Sequence, residues 1–332
     1  MPLPYSGPVL TAGWADQAVA AGAILVNETV VEDLLWDKGR VVGVRAGRPQ
    51  GEVEAQVVII AEGVNSMLTQ KAGLAQPLKP QQVALSVKEI ISLPREKIED
   101  RFALEENQGC TIELIGDAVK GMMGTAFIYT NKDSLSVGVG VLLSHPLANK
   151  INPNDLLERL KAHPLVKKLI EGGTTREYMA HMIPEGGYRS VPRLYGDGVL
   201  VVGDAAMLVN GLHREGINLA FASGMMAAQA VLNARQKGDY SASSLSLYKK
   251  LLEDSFVLKD LKKYKDAPEF LARNTHFFTL YPQLASQAAR EFLTVDGVPK
   301  REKQRKIWQE IKAKRGLWGL IKDAIGLWRV MK

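Results

Sequence analysis

The 332-residue chain holds one cysteine, Cys110. That excludes an internal disulfide and any metal or iron–sulfur centre built from cysteines alone. It fits a reducing compartment. No apolar run approaches the roughly 20 residues of a membrane span. The opening Met1-Pro2-Leu3-Pro4-Tyr5 has no basic region ahead of an apolar core, so it does not read as a signal peptide. His145, His163, His181, His213 and His276 show no metal-ligand spacing, and no metal is expected. No Gly-x-Gly-x-x-Gly follows an opening strand. The body also lacks a basic excess. The net charge of +6 belongs to residues 300–332, which hold eleven Lys/Arg and three Asp/Glu. Nucleic-acid binding by the body finds no support.

What is present centres on Gly198–Ala206. Leu200–Val202 reads as a strand buried on both faces, ending in Gly203-Asp204. Glu215-Gly216-Ile217-Asn218 then opens an Ala- and Met-rich helix running to about Asn233. Strand, acidic turn, glycine and helix bring a carboxylate and free helix N–H groups to one point. Asp204 can accept hydrogen bonds from sugar-alcohol hydroxyls. Glycine at 216 lets a flat ligand touch the backbone. The plain alternative is a strand–helix joint with an acidic cap.

Around this centre, residues 14–22 read as a helix stopped by glycine, and Ile24–Val30 as a strand. Val31–Trp36 and Arg40–Arg45 form a hairpin about Lys38-Gly39. Val57–Ala61 reads as a second fully buried strand, with a turn at Glu62–Ser66 before a helix through Lys71. Residues 84–90 and 122–142 alternate like strands, with a turn at Asn131-Lys132-Asp133. Helices are expected at Arg95–Phe102, from Pro153 with Asn152 as cap, and from Pro164 to Ile170. Thr174–Ile183 returns as a strand. Ser243–Glu253, Asp254–Lys265 and Pro268–Asn274 are helical, and Asn210–Arg214 is irregular. The fold class is α/β (α+β mixed). A discontinuous doubly wound domain over 1–80 and 190–240 holds an inserted mixed sheet over 81–189, and 241–332 is a helical region.

Gly203-Asp204-Ala205-Ala206, followed by Gly216-Ile217-Asn218-Leu219-Ala220, resembles the second flavin-binding motif of the large FAD-dependent family. That family includes aromatic hydroxylases, geranylgeranyl reductases and electron-transfer flavoprotein:quinone oxidoreductases. The resemblance implies FAD as cofactor, Asp204 at the ribityl and pyrophosphate region, and the 216–218 amides at the isoalloxazine. It carries cofactor-binding roles to Val30, Glu62, Gly63, Gly203, Asp204, Gly211, Arg214, Gly216, Ile217 and Asn218. In the family a first βαβ unit bears the glycine-rich turn and holds the ADP half of FAD. This chain opens past that point, by a shortened gene model or a true loss.

Thr69 stands where the hydroxylases carry an arginine tied to FAD and pyridine nucleotide, which argues against direct NADPH reduction. The blocks Val87–Ile91, Ile98–Phe102, Phe127–Asn131, Tyr178–Gly187 and Gly196–Leu200 are similar to the FixC type of electron-transfer flavoprotein:quinone oxidoreductase. That resemblance spans nearly the whole chain. It implies electrons arriving from an electron-transfer flavoprotein and leaving toward quinone or a separate ferredoxin-like iron–sulfur protein. No side chain is assigned catalytic acid–base work, because the cofactor carries the chemistry. The rivals are a prenyl (geranylgeranyl) reductase and a flavin-free binding remnant.

His181 reads as a packed, hydrogen-bonded core residue. His213-Arg214 reads as a surface loop pair, or as a positive group that stabilises reduced flavin. Cys110 reads as an inert thiol, and Lys88-Glu89 as a sheet-surface ion pair. In the tail Ile307, Ile311, Trp318, Ile321, Ile325 and Trp328 keep near-heptad spacing, with Lys314 the only break. The tail is either docked on its own domain or a surface for an anionic membrane or a partner helix. The expected location is cytoplasmic, peripheral on the inner membrane face in the second case.

Overall fold

The computed structural model describes residues 7–332, with side chains from Ala12 onward. The Met1–Tyr5 stretch read above lies outside the described residues. Helix α1 (Gly7–Ala20) starts ahead of the expected Trp14 and stops before Gly22. Ile24–Val30, expected as a strand, is irregular. Ile24 is 90% and Val30 73% exposed. A strand persists only where a neighbour takes up its N–H and C=O groups. No described strand pairs with this segment.

A ribbon follows, built from β1 (Val31–Asp37), β2 (Arg40–Ala46) and β3 (Glu52–Glu54), antiparallel in that order. Lys38 and Gly39 both take positive φ, the two-residue turn that matches strand twist. β4 (Val58–Ile60) and the short α2 (Met67–Lys71) come next. β4 is not buried on both faces as expected. Ile60 is buried, but Ile59 is 42% exposed. β4 ends its sheet, so one flank has no neighbour among the described residues.

The inserted block contains β5 (Val83–Ser92), α3 (Arg95–Phe102), β6 (Thr111–Leu114), β7 (Gly124–Thr130) and β8 (Ser134–Leu142). It continues with α4 (Ser144–Asn149), α5 (Pro153–Ala162), α6 (Pro164–Ile170) and β9 (Thr174–Pro184). The sheet order is β6-β7-β8-β5-β9. Every ladder is antiparallel, where a mixed sheet was expected. The connections β6–β7 and β7–β8 return each strand directly against the one before, which permits only antiparallel pairing. Asn152 caps α5 by accepting the Asn154 N–H at 3.0 Å, with Pro153 at the first helical position. Leu156, Leu157 and Leu160 of α5 seal a core with Val137, Val139 and Ile128.

Lys88 and Glu89 do not pair. Consecutive strand residues point to opposite faces. Glu89 instead meets Lys161 of α5 at 2.9 Å and the Thr175 hydroxyl at 2.8 Å.

β10 (Tyr195–Gly196) and β11 (Val199–Val201) complete the sheet begun by β4. β11 lies parallel to β4. Parallel neighbours need a long crossover, and the whole inserted block lies on it. α7 (Ile217–Lys237) buries Leu219, Ala227, Ala230 and Ala234 in the core that contains Leu200, Val201 and Tyr248. It is the one described helix long and apolar enough to cross a membrane. Its far side leaves Phe221, Met225 and Leu232 exposed.

The remaining helices are α8 (Ala242–Leu245), α9 (Leu247–Asp254), α10 (Phe256–Lys263), α11 (Ala267–Arg273), α12 (Leu280–Leu293), α13 (Lys300–Arg315) and α14 (Leu317–Met331). The near-heptad seam is not one continuous helix. Gly316, at φ +69°, ends α13 with a backbone angle that other residues rarely adopt. α14 then folds back against α13 and α11.

Candidate functional site

The acidic turn sits where β11 meets α7. Gly203 to Ala206 make a single 3-10 turn. The Gly203 N–H donates to Ser223 Oγ at 3.0 Å, and a side chain at 203 would stand 3.3 Å from the Ala220 Cβ. The turn is therefore packed on the first two turns of α7. Ser66 Oγ donates to the Ala205 carbonyl at 3.4 Å, which brings the Glu62–Ser66 turn to the same place. Burial pushes the Asp204 carboxyl above its ordinary range, and the charge of His181 opposes the shift. His181 itself is exposed rather than packed in the core. Its position on β9 turns it out of the sheet's apolar layer.

A closed loop lies between the turn and the helix. Asn210 and Glu215 exchange backbone hydrogen bonds of 2.8 and 3.2 Å, leaving residues 211–214 as the tip. Asn210 is 3% exposed. Its Oδ1 accepts the His213 N–H at 3.3 Å, but its Nδ2 has no partner. A buried donor left unpaired costs about 1–3 kcal/mol, so such groups are rare outside ligand sites. Arg214 donates to Thr125 Oγ1 at 2.9 Å and pairs with Glu113 at 3.1 Å. These contacts strap the tip to the inserted sheet. The His213 ring lies 4.8 Å from that of Tyr264. A Cβ at Gly211 would stand 2.0 Å from Glu185 Oε2, so any side chain there must displace the Glu185 carboxylate. Glu185 follows β9 and is half-buried. Burial pushes its carboxyl up to about 7, against the pull of Arg214.

Gly216 ends the loop, and no side chain caps α7. The N–H groups of the first helical turn, from Ile217 and Asn218, have no partner inside the helix. They add partial positive charge at the same point.

Thus Gly203, Asp204, Gly211, Arg214, Gly216, Ile217 and Asn218 share one neighbourhood, with Gly63 on its border. Gly63 faces open space at its Cα. Glu62 is differently employed. Its carboxylate accepts the N–H groups of Leu68 and Thr69 and the Thr69 hydroxyl, each at 2.8 Å. It caps α2, and the Thr69 that stands in place of an arginine is its partner. Val30 lies ahead of the ribbon, its carbonyl accepting the Gly47 N–H at 3.0 Å. No hydrogen bond among the described residues ties it to the loop. The sequence reading missed Glu185, Asn210, Thr125 and Glu113. Only Glu185 carried a signal, as an acid at a strand end between Pro184 and Gly186-Gly187.

A sheet crossed over by an inserted domain, with an acidic turn and a bare helix N-terminus at its carboxyl end, defines a flavoprotein fold of the FAD-dependent class. Residues 6–230 match the family of FAD dependent oxidoreductases, and residues 267–332 match the ETF-QO/FixC family C-terminal domain. The protein FixC of Azorhizobium caulinodans is 50% identical over 289 residues, 86% of this chain and 66% of the relative. The protein FixC of Escherichia coli K12 is 45% identical over 285 residues, 85% of this chain and 65% of the relative. Among solved structures, a geranylgeranyl bacteriochlorophyll reductase-like protein from Thermoplasma acidophilum aligns with a TM-score of 0.67 at 21% identity, covering 90% of this chain and 70% of that one. A flavin-dependent brominase aligns with a TM-score of 0.60 at 18% identity, covering 92% and 75%. These two show the fold alone. The chain belongs to the FAD-dependent oxidoreductase family, in its FixC branch. It spans about two thirds of the length of the curated relatives it matches.

FAD is the cofactor of this family. The residues present fit the flavin end of it. The unpartnered Asn210 Nδ2, the free N–H groups of α7 and the open space at Gly63 supply donors and room for a flat, acceptor-rich ring.

Proposed function

We propose that the chain is an FAD-dependent electron-transfer oxidoreductase that accepts electrons from an electron-transfer flavoprotein and passes them to quinone or to a separate ferredoxin-like iron–sulfur protein. The observation that carries this reading is the Gly203–Ala206 turn packed on the start of α7, with the unpartnered Asn210 donor beside it. Bound FAD would supply the one- and two-electron chemistry. The chain's own residues would hold it. The α7 amides and Asn218 would serve as donors to the flavin ring. Asp204 would accept from ribityl hydroxyls. Arg214, held by Thr125 and Glu113, keeps positive charge at the loop. In this reading residues 1–80 and 190–240 form the FAD-binding domain, 81–189 the inserted domain over the flavin, and 241–332 the helical region.

The helical region gives the same reading a location. Trp308, Leu317, Trp318, Ile325 and Trp328 are exposed amid Lys and Arg of α13 and α14. We place this surface against an anionic bilayer, which a quinone reductase must reach. The location would be cytoplasmic and peripheral.

The deciding experiment is spectroscopic. Purified chain mixed with excess FAD and desalted should keep flavin absorbance near one per chain. Reduced electron-transfer flavoprotein should then bleach it, and a water-soluble quinone should restore it. A chain that stays colourless would favour a flavin-free binding remnant. Bleaching that yields a saturated prenyl product would move the assignment to a prenyl reductase.

A further inference from the structure

The 210–215 loop and the end of β9 meet through a contact that ligand holding does not use. Glu185 packs its carboxylate directly onto Gly211, so the acid touches the loop tip at the one position where no side chain intervenes. The backbone holds it there. The Glu185 N–H donates to the Gln82 carbonyl at 2.7 Å, fixing the residue between β5 and β9. Among the described residues no side-chain donor lies within hydrogen-bond distance of its carboxylate. Arg214, whose charge acts on it, spends its donors on Thr125 and Glu113 instead. A half-buried carboxylate without donors is the electrostatic opposite of a structural acid.

Other charged groups surround the contact. Arg214 on the loop and Glu113 on β6 form one opposed pair. Burial and then Glu113 make the Tyr129 hydroxyl on β7 lose its proton less readily, against the pull of Arg214. Asp204 on the turn and His181 on β9 influence each other electrostatically, with no ion pair between them. His213 stacks toward Tyr264 on the loop's outer side. Within this set Glu185 and Asp204 have neither an ion pair nor a hydrogen bond, and Glu185 is the one whose carboxylate lies against the loop tip at Gly211.

We propose that Glu185 is the proton-holding residue of this site, taking one proton from solvent when negative charge arrives beside the 210–215 loop and releasing it when that charge leaves. The proposal rests on the flavin reading above and deepens it. The acid sets how electron uptake couples to proton uptake, a role beyond binding. The balance is simple. One electron pair comes from a reduced flavoprotein donor, one proton comes from water, and the O–H bond formed on Glu185 breaks again on reoxidation. Arg214 limits the device. Its charge favours the ionised carboxyl, and negative charge arriving beside the loop favours the protonated one. Gly211 transmits the effect, because nothing but its Cα separates the acid from the loop.

Two measurements test this on the full chain. Carbon-13 NMR of glutamate-labelled chain without FAD, with Glu185→Gln assigning the signal, should show one carboxyl titrating near pH 7. A Glu185 signal in the ordinary glutamate range overturns the proposal, whether or not flavin binds. With FAD bound, the reduction potential plotted against pH should bend near neutrality. Glu185→Gln should lose the bend while keeping flavin absorbance, and Glu185→Asp should restore it at a shifted pH. An unchanged bend in Glu185→Gln overturns the proposal and leaves the flavin assignment standing. Failure of the wild-type chain to take up FAD overturns the flavin reading, and the proton-holding role falls with it.

Discussion

Two shielded acids in this molecule are treated in opposite ways. Asp323, on α14, is 5% exposed. It accepts from Arg315 at 2.7 Å and from the Tyr281 hydroxyl at 2.6 Å, and faces His276 at 3.0 Å. These partners hold its carboxyl down at about 2. Glu185, between the inserted sheet and the loop, has no such partners and is pushed up to about 7. The C-terminal helices satisfy their buried charges internally, and Lys303 does the same with Asp296 and the Thr294 carbonyl, each at 2.6 Å. The loop region leaves a donor on Asn210 and an acid on Glu185 unanswered. Arg40, Asn233 and Ser244 each leave one buried atom unpaired elsewhere, so the contrast concerns these two acids and their surroundings.

The largest break in this contrast should come from Asp323→Asn. Removing one charge strands the Arg315 guanidinium, and the chain should lose roughly 3 kcal/mol of stability by denaturant unfolding. Its pH dependence follows from a depressed pKa. The Asp323 contribution is complete above about pH 4 and is lost as pH falls toward 2. Asp323→Asn should flatten that acid limb, while flavin uptake stays unchanged.

Glu185 should behave with the opposite sign. Its folded-state pKa is raised, so the native chain holds the proton more tightly than the unfolded one. Stability should be greatest below about pH 4.5 and fall as pH rises to about 7, by roughly 3 kcal/mol in all. Glu185→Gln should remove that decline, measured as melting temperature across the same pH range.

Gly211→Ala sharpens the same point. The added methyl must push the Glu185 carboxylate off the loop, at a cost of about 1 kcal/mol or less because the side chain can swing aside. Flavin affinity should drop with it. An equal drop in the Gly211→Ala, Glu185→Gln double variant would show that the acid is not what the methyl displaces.

The smallest stability effect is expected at Trp318, which is 83% exposed. Trp318→Ala should change stability by less than about 0.5 kcal/mol. Flotation with phosphatidylglycerol-containing vesicles should nevertheless fall several-fold. Equal flotation of both forms would remove the membrane surface from the proposal.

Local signals made much of this legible in advance. Asn152-Pro153 set a helix start, Lys38-Gly39 set a hairpin, and the Gly203-Asp204 turn with Gly216–Asn218 marked the strand–helix joint proposed as the site. Each depends on backbone preferences within a few residues, so the chain carries its own instructions there. The resemblance to the FixC branch rested on blocks spread along the chain, and the comparisons bear it out. Other readings failed where a partner far along the chain decides. Ile24–Val30 has a strand's composition but no strand beside it. Glu89 chose Lys161, 72 residues away, over its neighbour Lys88. The tail's regular seam was cut by the single backbone angle of Gly316.

The order of residues alone determined the helix and hairpin positions, the flavin-family motif and the basic C-terminal region. These are properties of short segments and of composition. Tertiary structure alone decided that Glu185 has no partner while Asp323 has several. The reason is that hydrogen-bond satisfaction and desolvation belong to surroundings assembled from distant segments, and no window along the chain contains them.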